Sequence, residues 1–164
     1  MDFPPSPFVV SIHSNENAPV TLTDILQTLG KERIESLIWG IREVDCTGEM
    51  AQDLVADLNT PNNGILVRGN RLFILAEECE QIIEGIFVGY PSDAAAAEFL
   101  DSSWQLASFA FSASVVAVEV TDGDILDIYL RSEEDVENLQ HSFSNIHIQD
   151  LANFLEPWMK RKLE

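Results

Sequence analysis

Basic residues are scarce in this sequence. The chain of 164 residues contains 9 Lys and Arg against 28 Asp and Glu, so its formal net charge is −19. A surface with this excess repels nucleic acid phosphates and anionic lipid headgroups, and it speeds association with basic proteins. The charge therefore argues against nucleic acid or a membrane as the partner and favours a basic protein. Solubility alone is the simpler explanation of the same charge.

Cysteine and long apolar runs are also scarce. Cys46 and Cys79 are the only cysteines, too few for a disulfide framework in a chain of this length. The start of the chain, MDFPPSPFVV, has no basic region, and prolines interrupt its apolar residues, so it is not typical of a secretory signal. The longest mostly apolar stretch, residues 106–118, is too short to span a bilayer. We therefore expect free thiols and a cytoplasmic location.

The common catalytic and metal-binding motifs are missing. There is no Walker loop, no G-x-S-x-G and no G-x-G-x-x-G, and none of His13, His141 and His147 lies at zinc-ligand spacing. The sequence therefore predicts no cofactor, no metal site and no catalytic residue. A site assembled from residues distant in the sequence, such as Cys46, His13 and His141 with scattered carboxylates, is the alternative.

Cys46 is the residue with the most chemical interest. In the segment VDCTGE it follows a predicted strand and precedes a predicted helix, where backbone N–H groups stabilise a thiolate. The acidic neighbours Asp45 and Glu49 act in the opposite direction, because negative charges disfavour the thiolate. We therefore predict a structural thiol at this position, and we place Cys79 on the apolar face of a helix.

The rest of the composition is that of a globular protein. Hydrophobic residues make up 46% of the chain and charged residues 23%, which is ordinary for a folded domain. A chain of this length is the size of one domain, and no repeat or change in composition marks a linker. We predict a single domain over residues 1–164.

Strand and helix patterns alternate along the first part of the chain. Strands are predicted over residues 8–13, 37–44, 65–68 and 83–90. Helices are predicted after the caps at Thr21, Thr47 and Ser92, and over the apolar positions from Leu72 to Ile82. This order predicts an α+β fold. We expect one compact domain with a mixed, largely antiparallel sheet, helices packed on at least one face, and a late β-hairpin (about residues 113–130) followed by two helices.

The segment TDGDILD in that hairpin looks like a cation site. Counted from Asp122, acidic residues fall at the first, third and last positions of a twelve-residue calcium loop. However, Asp127 occupies the position that requires glycine, and both flanks have the composition of strands. We therefore predict a turn between two strands here.

The register of the hairpin follows from its apolar residues. A three-residue loop over residues 121–123 pairs Val118 with Leu126 and gathers the aliphatic residues of both strands on one face. Glu119 and Asp127 then lie on the opposite, polar face. Asp122 lies at the turn tip, and Asp124 and Asp127 leave opposite faces, so the three aspartates do not converge on one ion.

Charge and the absence of catalytic motifs together predict a non-catalytic, acidic protein-binding module. Its sharpest version is an inhibitor or immunity-type protein for a basic partner. The predicted partner-contact residues are Glu119, Asp122, Asp127, Glu133, Glu134 and Glu137. Two alternatives are open. One is a small enzyme or ligand-binding protein with a site assembled from sequence-distant residues. The other is a structural subunit of a homo-oligomer that buries Trp104, Phe109 and Phe111.

Overall fold

Seven strands and the helices around them make up the described part of the chain. The computed structural model describes residues 7–48, 64–101 and 103–163. The strands are β1 (Phe8–His13), β2 (Ile38–Thr47), β3 (Ile65–Arg68), β4 (Gln81–Tyr90), β5 (Val116–Thr121), β6 (Ile125–Leu130) and β7 (Ile146–Asp150). The helices are α1 (Leu22–Leu29), α2 (Lys31–Ser36), α3 (Gly69–Glu78), α4 (Asp93–Ala96), α5 (Glu133–Ser142) and α6 (Leu151–Leu163), with two 3₁₀ helices at Ala97–Leu100 and Leu106–Phe111.

The strands form one sheet in the order β3-β2-β4-β5-β6-β1-β7. Every pair of neighbouring strands is antiparallel. The predicted α+β fold is confirmed, with one refinement: the described strands include no parallel pair, so the sheet is not mixed. Strand β1 lies between β6 and β7. The first strand of the sequence is therefore hydrogen-bonded to two strands from the last third.

Helices α1, α2, α3 and α5 cover the first face of the sheet. Their apolar residues form a continuous buried core with alternate residues of the strands. Helix α1 shows how the sequence determines this packing, since Ile25 and Leu26 are fully buried on one face of it. Its start is held by a capping box, in which Thr21 Oγ1 accepts from the Asp24 N–H and an Asp24 carboxylate oxygen accepts from the Thr21 N–H. The helix ends at Gly30, which has a φ of 109°.

A second core covers the other face of the sheet, so helices pack on both faces. It contains α4, both 3₁₀ helices and α6, and its centre is aromatic. Phe99, Trp104 and Phe109 are buried there, with Tyr129 from β6 below them. Gly40 of β2 makes room for this layer, because a Cβ at that position would overlap the Phe99 ring. We call residues 97–101 and 103–114 the covering segment.

Arg131 holds the end of the covering segment on the sheet. Its guanidinium donates to the backbone carbonyl oxygens of Phe109, Ser112 and Ser114 at 2.5, 3.1 and 2.9 Å. The same group lies 4.4 Å from the centre of the Phe109 ring. The covering segment has no strand and no α-helix, so few backbone donors are available to these carbonyls, and of the three only that of Phe109 also accepts from a described backbone N–H, that of Ser112.

Arg42 holds the beginning of the covering segment in the same way. It donates to the carbonyl oxygen of Phe99, to that of Asp101 at 2.9 Å and to that of Trp104 at 3.1 Å. Its guanidinium carbon lies 4.5 Å from the centre of the Phe99 ring. Two arginines from β2 and from the end of β6 therefore fix a segment that has little regular secondary structure of its own.

The β5–β6 hairpin has the predicted faces but a different register. Val118 pairs with Ile128 instead of Leu126, a shift of two residues, so every side chain keeps the face assigned to it. The turn lies one residue later than predicted. Asp122 and Gly123 have φ values of 54° and 75°, and the Asp124 N–H donates to the Thr121 carbonyl oxygen at 3.3 Å.

Several element boundaries differ from the prediction. Strand β2 runs on to Thr47, and the predicted helix after it, with apolar positions Met50, Leu54, Val55 and Leu58, lies outside the described residues. The helix predicted to reach Ile82 ends at Glu78, because Ile82 pairs with Cys46 in the sheet. Strand β7, between the two last helices, was not predicted, since its half-buried edge position leaves a weak apolar pattern.

We predict that Arg131→Met lowers the free energy of unfolding by about 2–4 kcal/mol, because the carbonyls of Ser112 and Ser114 lose their donor and that of Phe109 keeps only its bonds from Ser112, while most of the side-chain volume remains. Arg71→Met is the matched control. Arg71 is exposed on α3, and its replacement should change stability by less than about 0.5 kcal/mol. Urea denaturation of the three proteins measures both values. Equal midpoints for the two variants would show that Arg131 does not hold the covering segment.

Candidate functional site

A row of polar residues crosses the second face of the sheet. Cross-strand pairing places Ser11 beside Asp127, Asp127 beside Glu119, Glu119 beside Ile86, and Ile86 beside Arg42. These residues come from five strands and are distant in the sequence. The pairing therefore brings two carboxylates next to each other under the second core, where water is largely excluded.

The two carboxylates of this row have raised pKa values. Asp127 is only 8% exposed, and its Oδ1 accepts from the Ser11 hydroxyl at 2.5 Å. Burial raises the pKa of Asp127, and the Ser11 hydrogen bond and the charge of His13 partly offset this effect. Burial also raises the pKa of Glu119, and the neighbouring charges of Asp127 and Glu43 raise it further.

A cavity of about 600 Å³ lies beside Glu119 between the sheet and the second core. Trp104, Tyr129 and Phe154 contribute aromatic walls, and the charged residues around it are Arg42, Glu43 and Glu119. The volume is within the range of small-molecule sites, which are mostly apolar with a few polar groups. Burial raises the pKa of Tyr129 far above neutral pH, so its phenol stays protonated. The cavity thus offers aromatic surface, one neutral hydroxyl, the carboxylates of Glu43 and Glu119, and the guanidinium of Arg42.

The indole N–H of Trp104 is a further polar group at this cavity. It is buried, and among the described residues it has no hydrogen-bond acceptor. A buried donor without a partner costs about 1–3 kcal/mol. The Trp104 backbone carbonyl accepts a hydrogen bond from Arg42, whereas the indole N–H gains no such bond from the described residues. Packing of the ring therefore decides where the indole lies.

A second feature, which we call the acidic end, lies outside the cores at one end of the sheet. It comprises Glu43, Asp45, Glu77, Glu78, Glu80, Glu84, Asp122 and Asp124, all of them exposed. The end of β2 and the start of β4 meet there, and the hairpin tip is tied to them because the Gly123 N–H donates to the Ile83 carbonyl oxygen at 2.8 Å. The fold therefore brings together acids from four parts of the chain.

Like-charge repulsion and backbone strain both act at the acidic end. Asp45 of β2 lies directly opposite Glu84 of β4, at a register irregularity that follows Arg42. Glu43 in the same irregularity has a φ of 54°, which is strained for a residue other than glycine. Like charges on directly paired strand positions destabilise a sheet. The ion pairs between described residues, Lys31 with Glu35 and Arg33 with Asp135, involve helices α2 and α5.

The predicted partner-contact residues fall into three places. Asp122 is exposed at the acidic end, and Glu133, Glu134 and Glu137 are exposed on α5. Glu119 is half-buried and Asp127 is buried under the second core. The face that the sequence predicts to be polar is therefore covered by the second core. Ala117 and Tyr129 share that face. These small and aromatic residues beside the acids indicate that another part of the chain covers the face.

The remaining chemical candidates are dispersed. Cys46 lies in β2 and not in a strand–helix turn, and it is in contact with Cys79 just after α3. His13, His141 and His147 are exposed. Within the described ranges, no group of three or more His, Cys, Asp or Glu side chains is arranged to hold a metal ion.

The aromatic residues predicted for a subunit interface also differ in burial. Trp104 and Phe109 belong to the second core, whereas Phe111 is 94% exposed. One exposed phenylalanine is not a contiguous apolar patch. Among the described helices, none has the length and apolar character needed to cross a membrane.

No family model, curated protein or solved structure matches this chain.

The raised pKa values predict how stability depends on pH. A carboxyl group with a raised pKa binds more protons in the folded than in the unfolded state, so the free energy of unfolding falls as pH rises through the raised value. We therefore expect the wild type to become more stable as pH is lowered from neutral towards the ordinary carboxyl range. Glu119→Gln should be more stable than the wild type at neutral pH and should show a shallower pH dependence.

Glu134→Gln is the control for this experiment. It removes the same charge from an exposed position on α5, so it reports the effect of net charge alone. Thermal unfolding between pH 5 and 8 measures the slope for each protein, a window that lies above the ordinary carboxyl pKa of about 4. If both variants give the same slope, the burial of Glu119 does not control it.

Proposed function

We propose that this chain is a non-catalytic protein-binding module that engages a basic protein through the acidic end. The observation that supports the proposal is the opposition of Asp45 and Glu84 within a group of eight exposed acids. Directly opposed like charges destabilise a sheet. A cationic surface placed over them removes that repulsion, so binding and local stability are coupled.

The charge of the whole chain supports the same function. The formal net charge of −19 attracts a basic protein over long distances and raises the rate of encounter. The acidic end then provides a local surface on which a cationic patch is recognised. An inhibitor or immunity-type protein that neutralises a basic nuclease or toxin would use its charge in this manner, since its acids compete with phosphates for the same cations.

Helix α5 is the competing surface for this role. Glu133, Glu134 and Glu137 are exposed there, but cations are close by. Arg33 forms a bidentate pair with Asp135 at 2.7 and 2.8 Å, and Lys31 lies on the same short helix as Arg33. Negative charge at the start of a helix is also favourable in itself. The acids of α5 are therefore locally compensated to a greater degree than those of the acidic end.

The test compares two triple variants with equal charge. The first, Asp45→Asn, Glu84→Gln and Asp122→Asn, neutralises the acidic end. The second, Glu133→Gln, Glu134→Gln and Glu137→Gln, neutralises α5. The wild type is used to capture basic proteins from cells of its source at low salt, and each captured protein is then purified and titrated with all three proteins.

We expect the acidic-end variant to bind the captured protein about tenfold more weakly than the wild type, and the α5 variant to bind about equally. The affinity should also fall as salt is raised. Equal losses in both variants would mean that net charge alone is recognised. A larger loss in the α5 variant, or the capture of no basic protein by the wild type, would overturn the proposal.

A second candidate function rests on the cavity beside Glu119. Its aromatic walls and the carboxylates of Glu43 and Glu119 suit a small molecule with an apolar body and an ammonium group, because both features stabilise a cation. Under this proposal the chain is a ligand-binding protein whose site is assembled from β2, β5, β6 and the second core.

Small arylalkyl amines are the probes for this second function. Ligand-observed NMR should detect their binding to the wild type, and Glu119→Gln should weaken it about tenfold through loss of a charged hydrogen bond. Ala107 is exposed at the cavity, so Ala107→Trp should block it. Ala94→Trp is the control, because Ala94 is an exposed residue of α4 and lies away from the cavity. Equal binding by all four proteins would exclude the cavity as the site.

A further inference from the structure

Cys46 and Cys79 form a separate small cluster at the edge of the fold. Their sulfur atoms are 2.9 Å apart, and each residue is only 8% exposed. The cluster is distinct from both main cores and includes Ile82 as its partly buried neighbour. Both cysteines are free thiols. Two thiols in contact inside an apolar cluster are positioned for a bond between them.

Backbone hydrogen bonds hold the two cysteines in this position. Cys46 pairs with Ile82 across β2 and β4. The Glu80 N–H, one residue after Cys79, donates to the Thr47 carbonyl oxygen at 3.0 Å. The Cys79 N–H donates to the Leu75 carbonyl oxygen at 3.2 Å and closes α3. The approach of the sulfur atoms is thus imposed by the sheet and the helix end.

Cys79 is accessible to a small reagent from one side. It contributes to a cavity of about 480 Å³ between the start of α1 and the start of β4. Burial, followed by the hydrogen bond with Cys46, raises the pKa of the Cys79 thiol to about 12. The thiol therefore stays protonated at neutral pH, and it reacts faster as pH rises because the thiolate is the nucleophile.

We propose that Cys46 and Cys79 are a dithiol pair that forms an intramolecular disulfide by exchange with a low-molecular-weight disulfide such as oxidised glutathione. Cys79, after losing its proton to solvent, attacks one sulfur of the oxidant, and one thiol of the oxidant leaves with that proton. Cys46 then attacks the Cys79 sulfur, loses its own proton, and releases the second thiol. The protein loses two electrons and two protons, and the oxidant becomes two thiols.

The bond would join the end of β2 to the connection between α3 and β4. The two cysteines are 33 positions apart in the sequence, and closing a loop of this length restricts the unfolded chain. The acids Glu43, Asp45, Glu78 and Glu80 lie within three residues of the two sulfurs in the sequence. Oxidation would therefore add a covalent link to a part of the acidic end that is otherwise held by hydrogen bonds and apolar packing.

The test treats the folded, reduced protein with oxidised glutathione and follows it by intact mass and thermal unfolding. We expect the wild type to lose two thiol hydrogens without retaining glutathione, and its Tm to rise by about 5–10 °C. Dithiothreitol should reverse both changes. Cys46→Ala is the matched control, because its Cys79 has no resolving partner and should keep one glutathione as a mixed disulfide.

Three results would overturn the proposal. The first is a wild type that retains both thiols while Cys46→Ala takes up glutathione, since the oxidant then reaches Cys79 and Cys46 does not respond. The second is a disulfide that forms only in urea. The third is a bond between two chains, visible on non-reducing gels. Circular dichroism of Cys46→Ala and Cys79→Ala verifies that both variants are folded before treatment.

Discussion

The arrangement of the second sheet face depends on hydrogen bonds from two arginine side chains to backbone carbonyls. The covering segment has too little regular structure to satisfy its own carbonyls, and carbonyls buried without donors are unfavourable. Arg42 and Arg131 supply donors to three carbonyls each. Their fork of N–H groups suits this task, which the single ammonium of a lysine would perform less well. These bonds anchor the backbone of the covering segment, and packing then positions the aromatic side chains of the second core above the sheet.

The covering segment changes the chemistry of the residues beneath it. Glu119 and Asp127 would be ordinary solvated carboxylates on an open antiparallel sheet. Under the second core they are partly or wholly desolvated, their pKa values rise, and a cavity with aromatic walls lies beside them. The acids of the acidic end are exposed to solvent instead. One acidic chain thus carries two kinds of carboxylate, and they are suited to different functions.

The last residues of strand β2 connect the features that bear on function. Arg42 fixes the covering segment, and Glu43 contributes both to the cavity and to the acidic end. Asp45 faces Glu84, and Cys46 is in contact with Cys79. The register irregularity in this stretch allows neighbouring residues to serve different surfaces. A change at this strand end, whether by oxidation or by a bound partner, therefore acts on residues of the cavity and of the acidic surface together.

The sequence by itself determined the local structure and the gross surface charge. Alternation in β5 and β6 assigned each side chain to a face even though the register was two residues off, because parity is unchanged by an even shift. Cap residues such as Thr21 and Ser92 located helix starts through bonds made within a few residues. Only the tertiary structure decided which polar face is covered, which acids meet at one end, and that two cysteines distant in the sequence touch. Those outcomes depend on strand order and on packing between distant segments, and local periodicity carries no information about either.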